Sequence, residues 1–221
     1  LADKFIRNVF PLKVEGEADW LKKKPNSWEI TLELPEIPAD HIIVPSYCSL
    51  SNADQHQFVL CAQESLAIYP VPSPKAFHPS VDTQSISGEI DCWYSKTVLE
   101  NVSVLLEVQS DTKPSNYLIT LTIRELIKDY YPSPNAVAMT QKPRLLSQMT
   151  ADRNLRDRIC SPTATAMALS TKNQFIDWSK IIEQCYDPAT KAYGSWPLAI
   201  NSGSKHNFIG CIEAVDDWED A

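Results

Sequence analysis

The sequence of 221 residues is poor in glycine, and this scarcity excludes whole classes of enzyme. It contains 5 glycines, and neither a GxGxxG nor a GxxxxGK[ST] motif occurs in it. These motifs build the glycine-rich turns that hold dinucleotides and nucleoside triphosphates at the start of a helix. We therefore exclude a Rossmann-type dinucleotide enzyme and a P-loop nucleotide hydrolase, and we expect no cofactor.

Long apolar runs and an excess of positive charge are also missing. No run approaches the roughly 18 apolar residues of a membrane-spanning helix, so we expect no membrane span. Lys and Arg number 20 against 28 Asp and Glu, which gives a net charge of -8. A polyphosphate backbone would be repelled, so we expect no nucleic-acid partner. Hydrophobic residues make up 43%, enough to bury a real core.

The cysteines leave several possibilities open. No CxxC motif and no Cys/His pair at zinc spacing exists, so we expect no metal site. Disulfides Cys48–Cys61 and Cys185–Cys211 are alternatives to free buried thiols, because sequence does not decide connectivity. The first residues do not form a signal peptide, and a cleaved one would leave the same picture. We expect a secreted or periplasmic location and leave a cytoplasmic one open. The sequence contains six cysteines in all: Cys48, Cys61, Cys92, Cys160, Cys185 and Cys211.

Residues 1–140 have the pattern of a β domain. Four segments are rich in strand-forming residues, with apolar and polar positions alternating most clearly in the first. Proline, serine, asparagine and aspartate separate them, and no helical pattern intervenes. This favours an antiparallel β-sandwich or jelly roll. The four segments are 28–34, 57–62, 102–108 and 117–123.

Residues 141–221 follow a different pattern and are predicted to form a second, helical domain. A proline-rich stretch over 130–143 is typical of a stiff linker. Beyond it, Trp178, Ile181, Ile182 and Cys185 recur at the i, i+3, i+4 and i+7 spacing of one helix face. We therefore assign the whole chain to the α+β class, with the boundary near residue 140.

Cys160 is the residue whose surroundings imply a mechanism. Ser161 is a good helix N-cap and Pro162 suits the first helical position, which places Cys160 where a helix begins. Unpaired amides and the helix dipole favour negative charge there, and this lowers the pKa of a thiol and populates the nucleophilic thiolate. The structural alternative is a buried cysteine that happens to precede a helix.

Around this cysteine the sequence resembles a family. Cys160-Ser161-Pro162-Thr163, with Ser147-Gln148-Met149 before it, resembles the start of the bacterial cysteine peptidase family 39-like group, which includes relatives of bacteriocin-leader peptidases. The block 194–199 is similar to a second motif of that group, and the resemblance covers about 143–221. The β half, with Gly88-Glu89-Ile90-Asp91, is similar to the sandwich that precedes the peptidase domain in these proteins.

The resemblance implies the first, helical lobe of a papain-like fold acting on a peptide or protein substrate. It implies Cys160 as the catalytic thiolate, with a histidine as its base, and Gln148 as an oxyanion-binding residue. An ordinary surface or capping glutamine is the alternative for Gln148. In the family the histidine lies further along the chain, so we expect this chain to be a fragment truncated before it, inactive or feebly active.

The four histidines and two aromatic residues define the remaining alternatives. His206 is a second candidate for the base, whereas His41, His56 and His78 are expected to be surface or loop residues of the β half. The competing function is a non-catalytic glycan- or protein-binding protein with a vestigial peptidase scaffold. In that case Trp93 and Tyr94 would stack on sugar rings, although strand aromatics more often belong to a core.

Overall fold

In the part of the chain that the structure describes, the fold combines two antiparallel sheets with three short α-helices, so the α+β class is confirmed. A computed structural model describes residues 6–13, 19–50, 55–68, 81–89, 91–126, 141–172, 175–188 and 190–212. Within these ranges no helix is both long and apolar enough to cross a bilayer. The division at residue 140 stays a prediction, since it lies in a stretch outside the described residues.

Every strand pairing within the described residues is antiparallel. One sheet has the order β1-β11-β4-β9-β8-β7 and the other has the order β2-β3-β10-β5-β6. In chain order the strands are β1 (Ile6–Lys13), β2 (Leu21–Lys24), β3 (Ser27–Glu33), β4 (His41–Ser49), β5 (Gln55–Cys61), β6 (Ser65–Ile68), β7 (Val81–Asp82), β8 (Ile86–Gly88), β9 (Trp93–Ser95), β10 (Ser103–Gln109) and β11 (Tyr117–Glu125).

The two sheets share one hydrophobic core. On β10, Val104, Leu106 and Val108 are buried and alternate with half-exposed residues, and Phe58 on β5 is fully buried opposite Leu106. Buried residues of β4 and β11 belong to the same cluster. The four predicted strands are confirmed as β3, β5, β10 and β11, whose bounds differ from the prediction by at most two residues.

Strand β4 was missing from the prediction, and its surroundings explain why. It is buried almost throughout, so it has no apolar–polar alternation to recognise. One face contributes to the shared core, and the segment that follows the last helix covers the other. The amide of Ile212 donates to Ser46 Oγ over 3.1 Å, and Thr120 Oγ1 on β11 donates to the Ile212 carbonyl over 3.0 Å. Ser46 Oγ and Thr120 Oγ1 are 2.9 Å apart, which closes the ring of hydrogen bonds.

The helical part has a small core of its own. Its buried members are Ala166, Leu169, Ile176, Ile181 and Cys185. Two residues of the predicted helix face, Ile181 and Cys185, are thus in this core, whereas Ile182 is only partly buried. Ser202 Oγ donates to Gln184 Oε1 over 2.7 Å and thereby links the second and third helices. A 3-10 helix spans Gln148–Thr150, and the α-helices are α1 (Cys160–Leu169), α2 (Trp178–Gln184) and α3 (Trp196–Ser204).

Both proposed disulfides are wrong. Cys48, Cys61 and Cys185 are free thiols. Cys48 lies on β4 and contacts the Phe208 carbonyl, whereas Cys61 ends β5 in the other sheet and contacts its own strand. Cys185 is fully buried in the helical core.

The expectation of surface histidines is also wrong for two of the three. His41 is 3% exposed and His56 is 8% exposed, because both lie on sheet strands. The ring of His56 lies edge-on to those of Tyr47 and Phe58, at centroid distances of 5.2 and 5.4 Å. His78 lies outside the described residues.

An aspartate of the β part holds the start of α3. The Asp91 carboxyl group faces the backbone amide of Trp196, the first residue of that helix, and this amide favours its charged form. The nominal N-cap, Ser195, makes no side-chain capping bond. Burial, and to a smaller extent the charge of Glu89, raise the pKa of Asp91. The cap therefore comes from a residue more than a hundred positions earlier in the chain.

We predict that Asp91→Ala destabilises the protein by about 1 kcal/mol, the usual cost of a lost helix cap. Asp91→Asn keeps an acceptor without the charge, so its free energy of unfolding at pH 7 should equal or exceed that of the wild type. Because the pKa of Asp91 is raised in the native state, the contribution of this group to the free energy of unfolding decreases as the pH rises past about 3.9, the ordinary pKa of aspartate. Urea unfolding between pH 4 and 8 measures both effects. Equal losses of the free energy of unfolding in Asp91→Asn and Asp91→Ala would contradict the capping role.

The buried His56 predicts a second pH effect. Burial lowers the pKa of its imidazole to about 3, so the native protein keeps the ring neutral. Below about pH 6.5 the unfolded chain binds a proton that the native state does not, which reduces stability by up to about 1.4 kcal/mol per pH unit. We expect His56→Gln to flatten this part of the pH dependence of urea unfolding between pH 6.5 and 4. An unchanged slope would contradict the burial of an uncharged ring.

Candidate active site

Cys160 is the first residue of α1, and its side chain is exposed. The helix begins two residues earlier than predicted: Ile159, not Ser161, is the N-cap, and Ser161 and Pro162 lie inside the first turn. Ile159 is fully buried and provides no side-chain cap, so no side chain within the described residues caps the first amides of α1. A negative charge on Cys160 would lie beside these amides, where the helix dipole favours it.

The start of α1 is held from within the helical part. Thr163 donates its amide and its hydroxyl to the Ile159 carbonyl, over 3.0 and 2.7 Å. The indole N–H of Trp178, the first residue of α2, donates to the same hydroxyl over 3.2 Å. Pro162 and Thr163 are buried. The backbone that carries Cys160 is therefore fixed on one side while its thiol faces solvent.

Gln148 is joined to the turn that leads into Cys160. Its Nε2 donates to the Arg156 carbonyl over 2.7 Å, and the turn 153–158 then continues to Ile159. One amide hydrogen of Gln148 is thus engaged in positioning this turn, and the other is left for a further acceptor. The role of Gln148 toward an oxyanion stays a prediction.

The other cysteines provide a chemical contrast with Cys160. Burial raises the pKa of the Cys92 and Cys185 thiols to about 11 and also raises that of Cys48. Cys61 and Cys211 are partly buried. Cys160 is thus the one cysteine of the chain whose side chain is exposed.

The structure places His206 toward the opposite end of α1. His206 follows α3, two residues before Phe208, whose ring lies 5.6 Å from Nζ of Lys172, just past the last turn of α1. The ten residues of α1 extend about 13 Å from Cys160 to Leu169. The buried Nε2 of His206 has no hydrogen-bond partner among the described residues, so no bond from this atom joins it to Cys160.

A groove lies beside the start of α1 that sequence reasoning did not find. Its volume is ≈ 400 Å³, and it is bounded by the turn before Cys160, the outer face of α2 and two tyrosines. The tyrosine rings are 5.0 Å apart, and no local motif marks them, since they come together only through the short bridge between Asp187 and Ala192. The lining residues are Leu155, Ser179, Ile182, Glu183, Tyr186 and Tyr193.

The two aromatic residues that were candidates for stacking on sugar rings do not form an exposed aromatic surface. Trp93 is fully buried, and its indole N–H donates to the Leu66 carbonyl over 3.1 Å. Tyr94 is half-buried. The core assignment is thus confirmed for Trp93, which removes the main residue on which the glycan-binding alternative was based.

The helical part matches a known protein family. Residues 140–218 match the model of the Peptidase_C39 like family, and the match includes Gln148, Cys160 and all six groove-lining residues. This supports a cysteine-peptidase-like hydrolase at the level of the family. No curated protein and no solved structure matches the chain.

We predict that iodoacetamide modifies Cys160 first in the native protein at pH 8. A thiol of pKa about 11 is roughly one part in a thousand thiolate at this pH, and burial hinders access further. We expect Cys160 to react at least about tenfold faster than Cys92 or Cys185, as measured by peptide mass mapping over time.

Cys160→Ser should remove the fast phase, and unfolding in urea should make all six cysteines of the wild type react. Faster modification of Cys92 or Cys185 than of Cys160 in the native protein would contradict the assigned exposure.

Proposed function

We propose that the protein is a cysteine-peptidase-like hydrolase in which the Cys160 thiolate attacks the carbonyl carbon of a peptide or amide bond. The observation that carries this proposal is the exposed thiol at the first residue of α1, inside the segment that matches the Peptidase_C39 like family. A thiolate is the nucleophilic form of cysteine, and a helix N-terminus is one of the environments that stabilise it.

The chemistry has two steps. In the first, a C–S bond forms to the substrate carbonyl, and the C–N bond breaks as the leaving amine takes up a proton from a general acid. In the second, water hydrolyses the thioester and restores the thiol. An imidazole is the general acid that the family resemblance implies. His41 and His56 are buried on strands of the β part, and Nε2 of His206 has no hydrogen-bond partner among the described residues.

Gln148 is proposed as a donor to the oxyanion of the tetrahedral intermediate. Its second amide hydrogen and the backbone amide of Cys160 are the two donors of this site. The bond from Gln148 Nε2 to the Arg156 carbonyl supports the proposal, because it ties the glutamine to the turn that carries the nucleophile. Pre-positioned donors of this kind contribute most of their effect in the transition state.

A peptidyl p-nitrophenyl ester tests the nucleophile without requiring a general acid. The thiolate displaces p-nitrophenolate, which leaves with the electron pair and needs no proton. We expect a burst of one p-nitrophenolate per chain, a matching mass increase on Cys160 and neither in Cys160→Ser. Gln148→Ala should slow this acylation by about a hundredfold, the typical loss of an oxyanion donor.

Alkylation separates the two roles of Gln148, because displacement of iodide passes through no oxyanion. Gln148→Ala should slow the burst far more than the reaction of Cys160 with iodoacetamide, and equal slowing would reduce Gln148 to a positioning residue. Gln63→Ala is the matched control, since Gln63 is exposed and donates to the Val98 carbonyl in the β part. An absent burst with the folded wild-type chain would refute the peptidase assignment.

A further inference from the structure

The groove beside α1 is located at the same end of that helix as the thiol. Leu155 forms one wall and lies in the turn five residues before Cys160. Ser179 forms another wall and follows Trp178, whose indole donates to Thr163 in the first turns of α1. Both walls are thus connected to the Cys160 backbone within a few residues.

The turn that separates the groove from Cys160 is held at three points. Gln148 donates to the Arg156 carbonyl. Arg158 donates to the Lys191 carbonyl, and its guanidinium lies 5.5 Å from the ring centroid of Tyr193. Because the turn is fixed relative to both the groove and the helix start, a substrate attached at Cys160 would meet the groove at a defined distance along its chain.

The lining of the groove is suited to a long side chain that ends in a cation. Leu155 and Ile182 provide aliphatic surface for the stem of such a side chain. Glu183 is exposed and is the one charged residue among the lining residues, so the groove has negative charge; the Arg158 guanidinium lies beside it, 5.5 Å from the ring centroid of Tyr193. Tyr186 and Tyr193 add aromatic faces, to which cations are attracted.

The structure itself shows that one of these rings accepts a guanidinium. Arg158 occupies a position over Tyr193 from the side of the turn. Tyr186 is 38% exposed, and its ring lies 5.0 Å from the ring of Tyr193 and bounds the same groove. An incoming basic side chain would therefore find the same type of contact that the protein already makes with its own arginine.

We propose that this groove is the specificity subsite of the Cys160 site and binds an arginine or lysine side chain on the acyl side of the scissile bond. The inference rests on the proposed function, since it takes Cys160 to be the nucleophile. Glu183 pairs with the cation, and the tyrosines and aliphatic residues contact the stem.

Pairs of peptidyl p-nitrophenyl esters test the subsite. The two esters of a pair differ at one residue, which is arginine in one ester and citrulline, the uncharged analogue of arginine, in the other. That residue is the first, second or third from the ester group. The measured quantity is the ratio of the acylation rate constants within each pair. We expect the arginine ester to react faster than the citrulline ester at one of the three positions. This ratio of rate constants should fall by about threefold or more in Glu183→Gln, and it should also fall as the salt concentration is raised.

Glu36→Gln is the matched control, because it removes the same charge from an exposed position between β3 and β4. It should retain the wild-type ratio. Tyr186→Leu should lower the arginine preference while keeping most of the apolar surface, as expected for a cation–aromatic contact.

The outcomes separate the two proposals. Equal rates for arginine and citrulline at all three positions, with a normal burst on Cys160, would overturn the basic subsite and leave the nucleophile in place. A preference that survives Glu183→Gln would also overturn it. Failure of every ester to acylate Cys160 would overturn the proposed function and the subsite with it.

Discussion

The outer face of the β4–β11 pair has hydroxyl groups that need hydrogen-bond partners, and the end of the helical part provides them. Ser46, Thr120 and the Ile212 backbone form a closed set of hydrogen bonds, to which Thr122 adds a longer one of 3.4 Å. Buried hydroxyls without partners would cost free energy, so the sheet face and the covering segment depend on each other. This contact anchors one end of the helical part to a large β core.

The helices need such an anchor. They contain ten, seven and nine residues, shorter than the roughly 12–15 at which an isolated helix becomes marginally stable in water. Their buried core has five residues, which is small for an independent unit. A series of contacts therefore extends from the β part to the nucleophile: Asp91 faces the first amide of α3, Ser202 of α3 binds Gln184 of α2, and Trp178 of α2 binds Thr163 of α1.

Prediction from sequence succeeded where a residue pattern has a direct local cause. Strands with one face in the core show alternation, so β3 and β10 were found, and the buried side of α2 followed from helical spacing. It failed where distant residues decide the outcome. Strand β4 lost its alternation because another segment covers its outer face, and the disulfide guesses failed because Cys48 and Cys61 lie in different sheets. Cys160 was found through local motifs, whereas the groove requires Leu155, Glu183 and Tyr193 to meet in space.

The start of α1 departs from the rules that the other two helices follow. Asp177 caps α2 through its own side chain, and the Asp91 carboxyl group faces the first amide of α3. In α1 the N-cap is a buried isoleucine, although Ser161, a good capping residue, lies two positions later inside the helix. A capping carboxylate at this point would satisfy the free amides and would also repel a thiolate on Cys160. Local rules are most often broken at functional sites, and here the break leaves positive helix-end potential next to the one exposed thiol of the chain.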